Sequence, residues 1–232
     1  MEKVLEFITK INTIDNTQHL IEYGYLNSNP EIIIAYASQQ STGMVDAAIL
    51  ATELINIFKP KFLIMAGVLG GKPKDVKIGD VVVATKTFTI NKGKISDLGF
   101  KKEIESTTND NAYITKFKRE KKEIATYIEK QDSTRNRSIE IHFGPIGCVN
   151  QVIDLEGYFI ENISSVDRKA VALEMESYGV SRACFLVNNG ETKPIIIKSA
   201  MDNTVDKLDD AKTLAAFNSA MFVKYILENK LI

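Results

Sequence analysis

Apolar runs of strand length alternate with helical periodicities along this chain. Glu31-Ile-Ile-Ile-Ala-Tyr-Ala37 is continuous and rich in β-branched residues, which predicts a buried strand. Gln39-Gln-Ser-Thr-Gly43 then reads as a polar turn opening a helix, with Val45, Ala48, Ile49, Thr52, Leu54, Ile55 and Phe58 as its apolar face. Lys59-Pro60 ends that helix, because proline lacks the amide hydrogen the ladder needs. Phe62-Leu-Ile-Met-Ala66 is a second buried strand, so the unit predicts parallel pairing through a right-handed crossover. It runs into a glycine-rich turn, Gly67-Val-Leu-Gly-Gly71, and a third strand follows at Asp80-Val-Val-Val-Ala-Thr85.

Residues 89–112 are polar and glycine-punctuated, which predicts a long loop or a short hairpin. A charged helix is expected at about 113–130 with Ile114, Phe117, Ile124 and Ile128 inward, then a strand at 139–143 and a loop at 144–151. A last helix, from about 208 to 229, packs through Leu214, Phe217, Met221, Tyr225 and Ile226. At the other end, Val4, Leu5, Ile8 and Ile11 fall on one side of an expected amphipathic helix. The alternation predicts an α/β fold as one domain over residues 1–232.

Two more strands end in acid. Ala172-Leu-Glu-Met-Glu176 delivers Glu174 and Glu176, and Pro194-Ile-Ile-Ile-Lys-Ser-Ala-Met-Asp202 delivers Asp202. In an open parallel sheet the carboxyl ends of adjacent strands face one crevice, where ligands bind. Carboxylates meeting there point to acid–base or hydroxyl-binding chemistry on a small polar molecule. Each segment also has a plainer reading. Glu174-Met-Glu176 fits a solvated helix start and Asp202-Asn203 a turn or helix cap. Gly67–Gly71 fits a tight turn as well as a close approach of backbone to ligand. Its Gly70-Gly-Lys72 lacks the spacing and the Ser/Thr of a phosphate loop.

Composition narrows the classes. Lys+Arg is 29 and Asp+Glu 30, a formal net charge of -1 that gives no support for nucleic-acid binding. Two cysteines, Cys148 and Cys184, make no disulfide framework and favour a reducing, cytoplasmic setting. Only His142 is placed to pair with Cys148, so a catalytic cysteine is disfavoured. With His19 and His142 alone, a multi-histidine metal site is disfavoured too, and neither a metal nor a cofactor is expected. No run of eighteen apolar residues predicts a membrane span.

The order of segments resembles the nucleoside phosphorylase/nucleosidase superfamily, and within it most of all the methylthioadenosine/S-adenosylhomocysteine nucleosidases. Ser41-Thr-Gly-Met-Val-Asp-Ala-Ala48, Gly67–Gly71 with Ile78-Gly-Asp-Val-Val82, Leu173-Glu-Met-Glu176 and Lys198-Ser-Ala-Met-Asp202 carry the resemblance. It implies a three-layer α/β/α sandwich with a mostly parallel mixed sheet. It implies cleavage of the bond between ribose and a purine, and a homodimer or higher homo-oligomer, with the 89–112 segment as a candidate for closing the partner's pocket. Asp202 matches the general acid at the purine N7, and Glu176 the carboxylate that grips the ribose 2′- and 3′-hydroxyls, with Met175 packing on the sugar. Val68, Leu69 and Gly70 match the glycine segment near the ribose. Val152 and Ile153 match the wall of the base pocket, where the family usually has an aromatic ring at the first position. Glu2 matches the glutamate that activates water, and the family's first strand, which should precede it, is expected to be missing from this chain.

Cleavage of this bond passes through an oxocarbenium-like sugar, so a proton on the leaving base and a carboxylate near the sugar lower the barrier. Such an aspartate donates near neutral pH only if burial and a neighbouring acid raise its pKa. Met65 stands where phosphorylases of the superfamily place a phosphate-binding arginine, so water is expected as the nucleophile. Three alternatives stay open: an ATP or nucleotide nucleosidase module of antiviral defence, a phosphate-dependent phosphorylase, and a non-catalytic nucleoside-binding module. Lys72, Lys74, Lys94, Lys101 and Lys102 favour the first of these, since lysines suit phosphates.

Overall fold

The protein is described here by a computed structural model covering residues 7–14, 19–97, 99–109, 111–131, 138–155, 157–203 and 209–232. The chain opens with an antiparallel meander of β1 (Ile8–Ile14), β2 (Ile21–Leu26) and β3 (Asn29–Ala37). This overturns the helix expected around Ile8 and Ile11. Two apolar residues three apart fit a helical turn, but Ile8–Ile14 is a β-branched stretch of Ile and Thr that pairs with β2 from Ile8↔Leu26 to Ile14↔Ile21. The expected parallel pairing of the first two apolar runs is overturned as well. β3 pairs antiparallel with β2, and the second run joins a different sheet.

α1 (Met44–Phe58) follows, and Lys59 closes it in the left-handed conformation just before Pro60. Its buried side chains are Ala47, Leu50, Ala51 and Ile55, whereas Val45 is 71% and Ile49 56% exposed. The apolar face expected from the sequence is therefore partly the outward one. Next come β4 (Phe62–Gly71), β5 (Val81–Thr89), a hairpin of β6 (Gly93–Ser96) and β7 (Gly99–Lys102), and β8 (Glu105–Thr108). The charged helix divides at Glu120 into α2 (Asn111–Arg119) and α3 (Lys121–Gln131), with Ile114, Phe117, Ile124 and Ile128 buried as expected. β9 (Ile141–Cys148) takes up most of the expected loop. After a π-helical turn at Phe159–Ser164 come β10 (Ala172–Glu174), α4 (Ser177–Leu186), β11 (Lys193–Asp202) and α5 (Asp209–Glu228).

The main sheet runs β11-β4-β10-β9-β5-β8, and a further pairing of β11 with β5 closes five of its strands into a ring. It is mixed rather than open and parallel: β4 is parallel to β11 but antiparallel to β10, and β5 is parallel to β9 but antiparallel to β11. α1 and α4 cover one side over a core of Leu63, Leu69, Ile146, Ile196 and Ala200. α2, α3 and α5 cover the other over Val81, Val83, Ile195, Ile197 and Phe222. This is the expected three-layer α/β/α arrangement. No helix among the described residues is long and apolar enough to cross a membrane.

Candidate active site

One glycine organises the site. On one edge of β4, Gly70 pairs with Leu173 of β10, and on the other with Asp202 of β11. The acidic strand ends thus meet across a single residue, although the strands that bear them run in opposite directions. The expected glycine turn is strand throughout, and at Gly71 the lack of a side chain serves packing. A Cβ on Gly71 would lie 2.9 Å from the Val76 side chain. Between Ala200 and Asp202 the register with β4 slips by one residue, and such a bulge re-aims the side chain that follows it. Asp202 is buried.

Glu176 lies on the other flank, at the N-cap of α4. Its Oε1 accepts the amide hydrogen of Gly43 at 3.3 Å, and Gly43 is in turn the N-cap of α1. The N-terminus of α1 thus donates to Glu176, whereas the first amides of α4 go to Glu174, and the positive ends of helices favour negative charge at both. Gly43 has φ 120 and ψ 161, a region that side chains other than glycine's scarcely enter.

Behind Glu176 sits a buried ionic cluster. Lys198 donates to Glu174 Oε2 at 2.5 Å and to Glu176 Oε2 at 2.8 Å. Glu174 also accepts from the backbone amides of Glu176 (2.9 Å) and Ser177 (3.0 Å) and from the Ser177 hydroxyl (2.6 Å). Burial pushes the Glu174 carboxyl up, but the Lys198 charge and these hydrogen bonds outweigh it and hold the group at about 2. Burial likewise works against the Lys198 ammonium, and the two carboxylates outweigh it, raising its pKa above the usual value. Glu174 is thus a structural anchor, and Glu176, also buried, is the less fully enclosed carboxylate of the pair.

Met175 and Val68 are half-buried beside these groups. Leu69 is core, packed under α1 and α4. Ile153 packs on the cluster of Phe88, Val149 and Phe159, whereas Val152 is 73% exposed. Glu2 lies outside the described residues. Met65 packs against the α1/α4 core. Cys148 is fully buried, which drives its thiol well above the ordinary range and suits a packing role.

Sequence reasoning overlooked Lys198 and Gly43 as parts of the site. The first had a signal: a lone lysine within Pro194-Ile-Ile-Ile-Lys-Ser-Ala, an otherwise apolar strand, needs a buried partner. Asp80, Glu140 and His142 bring donor atoms within 4.8 Å of one another. Asp80 is occupied there by the amides of Lys77 (2.9 Å) and Glu140 (3.1 Å) and by His142 Nε2 (3.0 Å), which ties the starts of β5 and β9 together.

An apolar groove of about 940 Å³ adjoins the site. Met44, which follows Gly43, and Gly179, three residues after Glu176, line it together with Val45, Ile49, Tyr178 and Leu186. The β6–β7 hairpin stands beside it. Lys92, at the hairpin's foot and on the groove wall, bonds Glu105, which also accepts from the Tyr178 hydroxyl at 3.0 Å.

A family model described as "Phosphorylase superfamily" matches residues 2–228. The chain spans 40% and 37% of the length of two curated relatives. The second, a "Death domain-containing ATP nucleosidase" of Amphimedon queenslandica, is 24% identical over 81% of this chain. A 5'-methylthioadenosine/S-adenosylhomocysteine nucleosidase of Buchnera aphidicola is 26% identical over 99% of this chain and 92% of its own length. In three dimensions the chain is similar to the corresponding nucleosidase of Neisseria meningitidis, solved with methylthio-immucillin-A. The TM-score is 0.73 at 22% identity, covering 99% of this chain and 96% of that one.

Proposed function

Because the chain belongs to the phosphorylase superfamily, we propose that it hydrolyses the N-glycosidic bond of a purine nucleoside or nucleotide and releases free adenine. The observation that carries this reading is the pairing of Gly70 with Asp202 on one edge and, on the other, with Leu173, which leads directly into Glu174-Met-Glu176. Glu176 accepts the sugar hydroxyls and faces the cationic sugar as the bond lengthens. Asp202 gives its proton to the leaving base. Charge develops at both ends of the breaking bond, and preplaced groups of opposite character stabilise it without reorganisation. Met175 and Val68 flank the sugar.

Water is the acceptor of the glycosyl group in this reading. Met65 offers no charge to a phosphate, and the buried cation Lys198 is already neutralised by two carboxylates. Relatives support the reading at both the nucleoside and the nucleotide level. Arg182 on the groove wall favours nucleotides as a second possibility for the substrate. The molecule acts as a homodimer that buries the groove, in a reducing, cytoplasmic setting that keeps Cys148 and Cys184 as the free thiols they are here.

The test is to incubate the protein with methylthioadenosine, adenosine, AMP and ATP in parallel, with and without inorganic phosphate, and to read free base and sugar product by chromatography. Adenine with free sugar in phosphate-free buffer supports hydrolysis. Ribose 1-phosphate formed only with phosphate present would make the protein a phosphorylase. Binding without turnover over a day would make it a recognition module.

A further inference from the structure

Lys198 has no part in the reaction as written above, yet it is 2% exposed and its ammonium is shared between two carboxylates. Burying an ammonium and two carboxylates is costly, and replacing such a cluster by apolar groups is often neutral or better for stability. A cluster of this kind is therefore better explained by the geometry it enforces. Its two ends are unequal. Glu174 is clamped by two amides and a hydroxyl besides Lys198. Glu176 has just one other bond among those resolved, the amide of Gly43 at 3.3 Å.

The path of the lysine is built for this reach. Its side chain crosses the face of β4 at Gly67, where an added Cβ would lie 3.6 Å from Lys198 Cε. From there the ammonium holds Oε2 of Glu176 while Gly43 holds Oε1. Held at both oxygens, the carboxylate cannot turn about its last torsion without breaking a bond. An ionised carboxylate has about four acceptor sites, so each oxygen keeps one for a ligand hydroxyl.

We propose that Lys198 is a positioning residue that transmits the rigidity of Glu174 to Glu176, and that it thereby sets the preference for a ribose over a deoxyribose. The proposal rests on the purine-nucleoside reading above. It differs from a purely structural role in one respect: its loss weakens binding of the hydroxylated sugar selectively.

The test is calorimetric affinity for formycin A, a C-nucleoside that cannot be hydrolysed, and for its 2′-deoxy counterpart. The proteins compared are the parent, Lys198→Met, Lys198→Arg, Glu176→Gln and the Lys198→Met/Glu176→Gln pair, each checked for its fold by circular dichroism. The parent is expected to prefer the ribonucleoside, and Lys198→Met to reduce that preference about tenfold or more, the loss of a hydrogen bond to a charged group. Affinity for the deoxy compound stays near the parent's, Lys198→Arg restores most of the preference, and Lys198→Met adds nothing to Glu176→Gln. Should Lys198→Met fail to fold because Glu174 is left alone, Glu174→Gln/Lys198→Met replaces it, with the same expectations. A folded variant without Lys198 that keeps the parental ribose preference overturns the proposal. A parent that binds neither compound overturns the nucleoside reading itself, and this one with it.

Discussion

The amide of Gly43 donates to Oε1 of Glu176 at 3.3 Å, across 133 positions of sequence. That bond joins the N-cap of α1 to the N-cap of α4 and sets one oxygen of the Glu176 carboxylate. Gly43 makes it from φ 120 and ψ 161, while no atom lies within 4 Å of where its Cβ would be. Replacement by alanine therefore meets a backbone penalty rather than a clash, about 1–3 kcal/mol. Gly43→Ala is expected to lower the kcat/KM for base release by about tenfold, as the loop relaxes and one bond to a charged group is lost. Steady-state kinetics beside a urea unfolding curve checks this, and unchanged kinetics would show that the Gly43 bond is not needed.

Asp202→Asn removes the carboxyl group while keeping nearly the same shape. If Asp202 is the general acid, adenine release falls by about 10²–10⁴-fold, the usual contribution of such a group. The folded protein should keep its melting temperature to within a few degrees. Adenine release at the parental rate would assign the acid elsewhere.

Glu174 makes acid stability measurable. Its folded-state pKa is held at about 2 by Lys198 and Ser177 against the pull of burial, below the roughly 4.3 of an unfolded glutamate. A group depressed in the folded state contributes stability above the unfolded value and loses it as pH falls through the folded one. Urea midpoints of the parent should therefore drop between about pH 4.3 and 2. Glu174→Gln should start lower at pH 6 and lose less over that window, so that the two curves converge. Parallel curves would assign the acid sensitivity to other groups.

Much of this architecture was legible because β-branched apolar runs such as Val81-Val-Val-Ala84 have few alternatives to a buried strand. Even so, the pairing of those strands was not, since closure of β11 on β5 depends on contacts more than a hundred residues apart. α1 shows a different limit. Val45, Ala47, Ala48, Ile49, Leu50 and Ala51 are apolar almost all round, so periodicity cannot say which stripe meets the core. That the segments bearing Asp202 and Glu176 end near one another was legible from their apolar strands with acidic ends. The task of Lys198 was hidden, because its two partners lie 24 and 22 residues upstream and only the fold brings them within reach.

The outward stripe of α1 and its neighbours on α4 give the oligomer reading a direct test. Ile49 and Phe185 are both more than half exposed, so charges there should leave the monomer's own stability within about ±0.5 kcal/mol. Ile49→Glu/Phe185→Glu is expected to halve the mass seen by sedimentation equilibrium while the thermal midpoint at high dilution stays in place. If the parent already sediments as one chain, the groove serves something other than a second copy.

Gly179→Ala should separate helix propensity from packing. Within a helix, alanine is normally worth about 1 kcal/mol over glycine, so α4 alone would predict a gain. In the folded chain a Cβ on Gly179 would stand 2.2 Å from the carbonyl oxygen of Met44. That neighbour is backbone at the start of α1, and it cannot rotate away as a side chain would. α1 and α4 must part, and the overpacking is expected to cost about 1–3 kcal/mol net. Met44 follows Gly43, so the same displacement pulls the Gly43 amide from Glu176, and base release should fall together with stability. Urea unfolding and kinetics on the one variant read both effects. A stabilised Gly179→Ala protein with full activity would mean that α1 and α4 do not meet as closely as Met44 and Gly179 do here.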